Sequence, residues 1–216
     1  MNASMPHKQE RLQAILAPAP VVAVVTIDDA GVAVALAQAL IDGGIGAIEI
    51  TLRTPAALDA IRAIARDVPQ AAVGAGTVLS ATDLHAAAAA GARFAVSPGA
   101  SSALLDAADT STLPLLPGAA TASEAMRLSE RGYCLQKFFP AEPAGGVEYL
   151  RALAGPLPHI CFCPTGGIRV DNAAAYLRLP NVACVGGSWL TPPALVRAQD
   201  WPAVTALARA AAALRG

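Results

Sequence analysis

Apolar residues gather in eight short runs, at residues 21–27, 47–52, 71–78, 94–98, 113–118, 135–140, 159–167 and 182–188. The runs are short, rich in valine, isoleucine, leucine and phenylalanine, and bounded by glycine and proline, so each reads as a strand. Between them, apolar positions spread to helical spacing within stretches rich in alanine, leucine and arginine. Helices are predicted at 32–41, 55–67, 81–90, 122–131 and 147–154, several opening on a Ser, Thr or Asp cap or an early proline. The alanine run at 86–90 belongs to one of these helices. Ahead of the first strand, a short amphipathic helix is ended by Pro18 and Pro20.

Single helices between successive strands imply βαβ units and a parallel sheet. About eight such units predict an α/β fold, a single (β/α)8 TIM barrel with a short N-terminal helix. No linker or composition shift divides the chain, so residues 1–216 are expected to form one domain, with 1–20 as helix and linker. An open doubly wound sheet is the alternative, but no G-x-G-x-x-G turn follows the first strand.

Two strands break the apolar pattern. In the second, Ile48, Ile50 and Leu52 share one face, whereas Glu49, Thr51 and Arg53 share the other. With the apolar face against helices, a carboxylate, a hydroxyl and a guanidinium point inward or toward the barrel mouth. In the sixth run, Leu135, Lys137 and Phe139 share a face, so an amine sits among apolar side chains. The chain has one other lysine, Lys8, in the polar N-terminal segment. Two readings of Lys137 stand. Either it is held without reacting, snorkelling from a strand end to water or sitting in a buried ion pair, as Glu49 could with Arg53, or its amine is a nucleophile that adds to a carbonyl, a role closed to arginine.

Composition narrows the function classes. A formal net charge of -1 supplies no basic field for nucleic acid. No apolar run reaches the ~20 residues of a membrane span, and the N-terminus lacks the uninterrupted apolar stretch of a signal peptide. A cytoplasmic location is expected. The four cysteines lie in or beside apolar runs, as small buried side chains do. Cys161 and Cys163 stand too close for a zinc site, and no histidine pair completes one, so no metal is expected. His7 and His85 read as surface residues, and His159 as the start of a strand.

The last two strands end in paired glycines, Gly166–Gly167 and Gly186–Gly187, the latter followed by Ser188. Paired glycines let backbone approach a ligand, and the loops after strands seven and eight of a TIM barrel often hold phosphate. The alternative is that they only make tight turns. Residues 74–78 and 97–99 also fall at strand ends, the first with the hydroxyl of Thr77.

The motifs EITLRTPAAL, VGAGTVL, FAVSPGAS, PLLPGAATASEAM, QKFFPAE, FCPTGGI and VGGSWL occur in this order. Together they resemble the 2-keto-3-deoxy-6-phosphogluconate aldolases, class I pyruvate aldolases, over nearly all of residues 21–190. The resemblance implies a barrel, usually a homotrimer, that cleaves the phosphorylated keto-deoxy acid to pyruvate and glyceraldehyde 3-phosphate. It implies Lys137 as the Schiff-base lysine and Glu49 as the general acid/base. Arg53, Thr77 and Thr165 match positions around the pyruvyl carboxylate. Gly166, Gly167, Gly187 and Ser188 match the phosphate end, and Phe139 and Pro98 would line the pocket. No cofactor or metal is implied, since a protonated imine does the work of a Lewis acid.

Residues 26–31 depart from the family pattern. They read TIDDAG where many relatives carry a basic residue, which bears on substrate preference. The alternatives are a galactonate-derived acid or 4-hydroxy-2-oxoglutarate as main substrate, a sugar-phosphate isomerase with Glu49 as base, or a non-catalytic phosphate-binding barrel.

Overall fold

The computed structural model describes residues 4–215. Helix α1 (Met5–Leu16) leads into β1 (Val21–Val25), and strands and helices then alternate: α2 (Ala33–Asp42), β2 (Ala47–Thr51), α3 (Ala57–Asp67), β3 (Ala72–Gly76), α4 (Ala81–Ala89), β4 (Ala95–Val96) and α5 (Ser102–Thr110). The fifth strand position is split into β5 (Leu115–Leu116) and β6 (Gly118–Ala119). After it come α6 (Ala122–Glu130), β7 (Leu135–Phe138), α7 (Gly146–Ala154), β8 (Cys161–Pro164), α8 (Ala173–Leu177), β9 (Val185–Gly187), α9 (Pro193–Ala198) and α10 (Trp201–Ala212).

All strand pairs are parallel, and each of the eight expected runs contributes a strand. Hydrogen bonding divides them into a curled six-stranded sheet, ordered β5-β4-β3-β2-β1-β9, and a three-stranded sheet, β6-β7-β8. The division departs from the continuous eight-stranded sheet expected. Its cause is Pro117, which has no N–H to give to a ladder and separates β5, paired with β4, from β6, paired with β7. Between β8 and β9 only isolated bridges form, at Phe162–Val182 and Thr165–Gly186.

Side-chain alternation places apolar groups on both faces of the strands. One face, with Ile48, Ile50 and Val73, packs on the helices. The other carries a smaller cluster of Val22, Ala47, Phe94, Val96, Leu116, Leu135, Cys163 and Cys184. Leu12 and Leu16 of α1 join this second cluster, at 0% and 1% exposure, and cover it from the N-terminal ends of the strands. Burial of each leucine contributes about 1.5–3 kcal/mol.

The same helix overturns the expectation that Lys8 is merely part of a polar segment. Lys8 is 2% exposed, and its Nζ donates to the carbonyls of Ala108 and Asp109 at 2.8 Å each. These are among the last carbonyls of α5, which lack partners within the helix and carry the negative end of its dipole. An ammonium meets both needs. Helix α5 itself was not among the helices predicted, because SSALLDAADTST mixes polar and apolar residues; Ser101 fixes its start by accepting from the N–H of Leu104.

Two other helices begin with capping boxes, Ser80 with Asp83 and Thr121 with Glu124. Cys163 and Cys184 are buried as expected, but Cys134 is exposed, because it precedes β7. His159 likewise precedes β8 and is exposed, its Nε2 3.1 Å from the Ser129 hydroxyl. Among the described residues, no helix is long and apolar enough to cross a membrane.

Candidate functional site

The strand pair β2–β3 sets the first half of the site. Its register aligns Glu49 with Gly74 and Thr51 with Gly76, so two glycines occupy successive inward positions of β3. Each clears space for a larger neighbour. A Cβ on Gly74 would lie 2.5 Å from the Phe94 ring, and one on Gly76 would lie 2.2 Å from Glu49 Oε1. Glu49 therefore lies across β3, above the aromatic floor supplied by Phe94.

The second half comes from β7. Lys137 stands between Gly118 of β6 and Cys163 of β8. Although 88 residues separate them, Lys137 Nζ donates to Glu49 Oε1 at 3.3 Å. Both residues are buried, at 5% and 3% exposure. Water is largely excluded, so the pair's mutual attraction has to offset the desolvation of two charges. The Phe139 ring, 5.3 Å from Nζ to centroid, adds a cation–π contact.

The other predicted residues lie at the C-terminal ends of the strands or in the turns that follow them. Arg53 is exposed in the turn after β2, at the end of the strand. Its Nη2 donates to Thr26 Oγ1 at 2.8 Å, and Thr26 shares a 3.0 Å hydrogen bond with Thr51. Thr77 follows Gly76 and holds φ 59, a left-handed conformation uncommon outside glycine. Pro98 lies against β6, where a Cβ on Gly118 would come within 2.3 Å of the Pro98 carbonyl.

Thr165 bridges to Gly186, whose missing side chain makes room for the Thr165 hydroxyl. Gly166 and Gly167 adopt φ +99 and +81, conformations that only glycine takes without strain. Glu142 braces this turn: its N–H donates to the Gly166 carbonyl at 3.0 Å, and its side chain packs on Gly167. The Tyr176 hydroxyl donates to the Glu142 carboxylate; burial, then that carboxylate, pushes the phenol well above its ordinary pKa. Gly187 lies under the Trp189 ring. Ser188 is exposed and lines, with Thr26 and Arg53, a cavity of about 470 Å³ at the C-terminal ends of β9, β1 and β2.

Sequence reasoning missed Thr26, the Glu142–Tyr176 brace, and the roles of Gly74, Gly76 and Gly118. Two glycines two apart in a strand are a usable signal, since they mark one face of the strand as crowded.

Fold and pair together describe a class: a parallel α/β protein with a buried amine and a carboxylate in contact among the strands. Comparison with known proteins makes the assignment specific. The sequence pattern of the KDPG and KHG aldolases matches residues 12–207. Over 201 residues the chain is 53% identical to a 2-dehydro-3-deoxy-phosphogluconate aldolase of Pseudoalteromonas atlantica, covering 93% of this chain and 94% of that one. It is 50% identical to the KHG/KDPG aldolase of Escherichia coli K12, over 92% and 93% of the two chains. The crystal structure of the KDPG aldolase of Legionella pneumophila, with pyruvate captured at low pH as a covalent carbinolamine, superposes with a TM-score of 0.91 at 45% identity, over 93% and 98%. The chain belongs to the KDPG and KHG aldolase family.

Proposed function

We propose that this protein cleaves 2-dehydro-3-deoxy-6-phosphogluconate to pyruvate and glyceraldehyde 3-phosphate as a class I aldolase, with Lys137 as Schiff-base nucleophile and Glu49 as general acid/base. The observation that carries the assignment is the buried 3.3 Å contact between Lys137 Nζ and Glu49 Oε1. Lys137 passes a proton to Glu49, the neutral amine adds to the C2 ketone, and Glu49 returns that proton to the departing hydroxyl, so that loss of water leaves a protonated imine. Glu49 takes the proton of the C4 hydroxyl as the C3–C4 bond breaks, and the bonding electrons flow into the iminium. Glyceraldehyde 3-phosphate leaves, the enamine is protonated at C3, and water releases pyruvate and the amine. The carbinolamine held by the Legionella relative supports a covalent route of this kind.

Arg53, Thr77 and Thr165 take the pyruvyl carboxylate, while Phe139 and Pro98 wall the pocket. Gly166, Gly167, Gly187 and Ser188 take the phosphate. The left-handed backbone of Gly166 and Gly167 supports their part, since it lets main-chain groups approach an anion closely. The double name of the E. coli relative supports 4-hydroxy-2-oxoglutarate as a second substrate; kcat/KM measured on both acids ranks them.

The two sheets are read as arcs of one (β/α)8 barrel forming a single catalytic domain. Support comes from the one-residue break at Pro117, with partners on either side, and from the bridges joining β8 to β9. A homotrimer is the assembly the family resemblance implies, and sedimentation equilibrium tests it by the mass of three chains.

Borohydride reduction with pyruvate tests the chemistry. A reduced pyruvyl group on Lys137, located by peptide mass, is expected. Labelling confined to Lys8 or the N-terminus, or no labelling, rejects the aldolase mechanism.

A further inference from the structure

The cavity beside the catalytic pair holds charges with no part in the scheme above. Its wall includes Val24, the register partner of Glu49, so the space begins next to the reacting centre. Asp28 and Asp29, the acidic residues of the atypical TIDDAG segment, are among its lining residues. Arg197, in the last turn of α9, lines it as well. Arg53 is engaged by Thr26, and Asp29 accepts from the N–H of Gly31. Among the described residues, no hydrogen bond or ion pair engages the Arg197 guanidinium, although two carboxylates line the same cavity. Directly after α9, Gln199 takes φ 52, left-handed for a residue other than glycine, and its side chain also lines the cavity.

A substrate held at C2 by Lys137 extends its phosphorylated end several ångströms away. That end needs a cation, and the segment after β1 offers carboxylates instead. We propose that Arg197 is the specificity-determining residue that reads the terminal phosphate, and that Asp28 and Asp29, in the same cavity, disfavour any seat for the anion beside the segment after β1. The cationic partner thus comes from the last βα connection, next to Ser188. Guanidinium suits the task because its planar donors pair with phosphate oxygens two at a time. This inference rests on the aldolase reading, and its test separates the two.

Arg197→Ala, Arg197→Lys and Asp28→Asn are compared with the unsubstituted protein in three assays: cleavage of the phosphorylated acid, deuterium exchange at C3 of pyruvate, and inhibition of that exchange by inorganic phosphate. Loss of one charged hydrogen-bonding partner is expected to raise KM for the phosphorylated acid about tenfold or more in Arg197→Ala. Its kcat should stay within about threefold, since the contact is made equally in ground and transition states. Phosphate inhibition should weaken in parallel, Arg197→Lys should recover part of both, and Asp28→Asn should lower KM. Pyruvate, lacking the distal anion, should exchange at an unchanged rate in every variant. An unchanged KM in Arg197→Ala, or an equal loss on pyruvate, overturns the role of Arg197 alone. Failure of the unsubstituted protein to exchange pyruvate overturns the aldolase reading beneath it.

Discussion

Gly76→Ala adds one carbon to the molecule, at the place where Glu49 rests. An alanine Cβ there would stand 2.2 Å from Glu49 Oε1, 2.6 Å from Cγ and 2.8 Å from Cδ, whereas ordinary contact starts at 3.4 Å. The carboxylate must therefore withdraw by about 1 Å, a distance whose cost at a reacting centre is on the order of 10²-fold in rate. That equals about 2.7 kcal/mol of activation free energy. Gly76 lies in a β-strand, with a φ any residue can take, so the variant should fold. The assay is aldol cleavage followed through pyruvate reduction by a coupled NADH-dependent dehydrogenase, with circular dichroism and thermal unfolding as checks on folding. A fall in kcat/KM of about 100-fold is expected, with borohydride trapping of pyruvate on Lys137 retained, because the amine is untouched. A folded variant with kcat/KM within threefold of the parent would refute the placement of Glu49 as the proton-moving group.

Lys137→Arg keeps the charge opposite Glu49 but cannot form an imine, so cleavage and pyruvate labelling should both vanish while the protein remains folded by circular dichroism. Lys8→Met leaves two carbonyls at the end of α5 without their donor and should cost about 2–3 kcal/mol in urea unfolding, with activity of the folded protein unchanged. Glu124 titrates below its ordinary 4.5 because the Ala120 N–H, followed by its bonds to Thr121, favours the ionised form. Its contribution is thus complete above pH 4.5 and lost as pH falls through the lower folded value; Glu124→Gln should flatten that acid limb of stability, measured by chemical unfolding. Thr121→Ala, at the other side of the same box, should cost about 1 kcal/mol at pH 7, seen as a lower Tm.

The buried Lys137–Glu49 pair was legible because each side chain interrupts an apolar run and period-2 geometry turns each inward. Strand order followed from alternation with helices. What stayed hidden depends on neighbours distant in the chain. Gly76 reads as a turn residue until the β2–β3 register sets it under Glu49. Lys8 reads as surface charge until α1 meets the end of α5. Arg53 shares the parity of Glu49, but the strand stops at Thr51, and its bond to Thr26 of the neighbouring strand end could not be read from the sequence. Arg197 sits on a short helix with no pattern of its own, and only the cavity links it to Ser188. The split of the fifth strand was written in Pro117, but its consequence for pairing required both neighbouring strands.

Helix α1 carries no residue proposed for the site, yet it packs on the cluster that holds Cys163, the register partner of Lys137. Leu12 and Leu16 stopper the strand ends below Phe94 and Cys163, closing the route by which solvent could rise beneath the pair. Electrostatic interactions are several-fold stronger in a dry interior than in water, so the effective dielectric at the reacting amine is set partly from the far end of the molecule. A chain shortened by this one helix would retain every residue of the site and still place it in a wetter, weaker field.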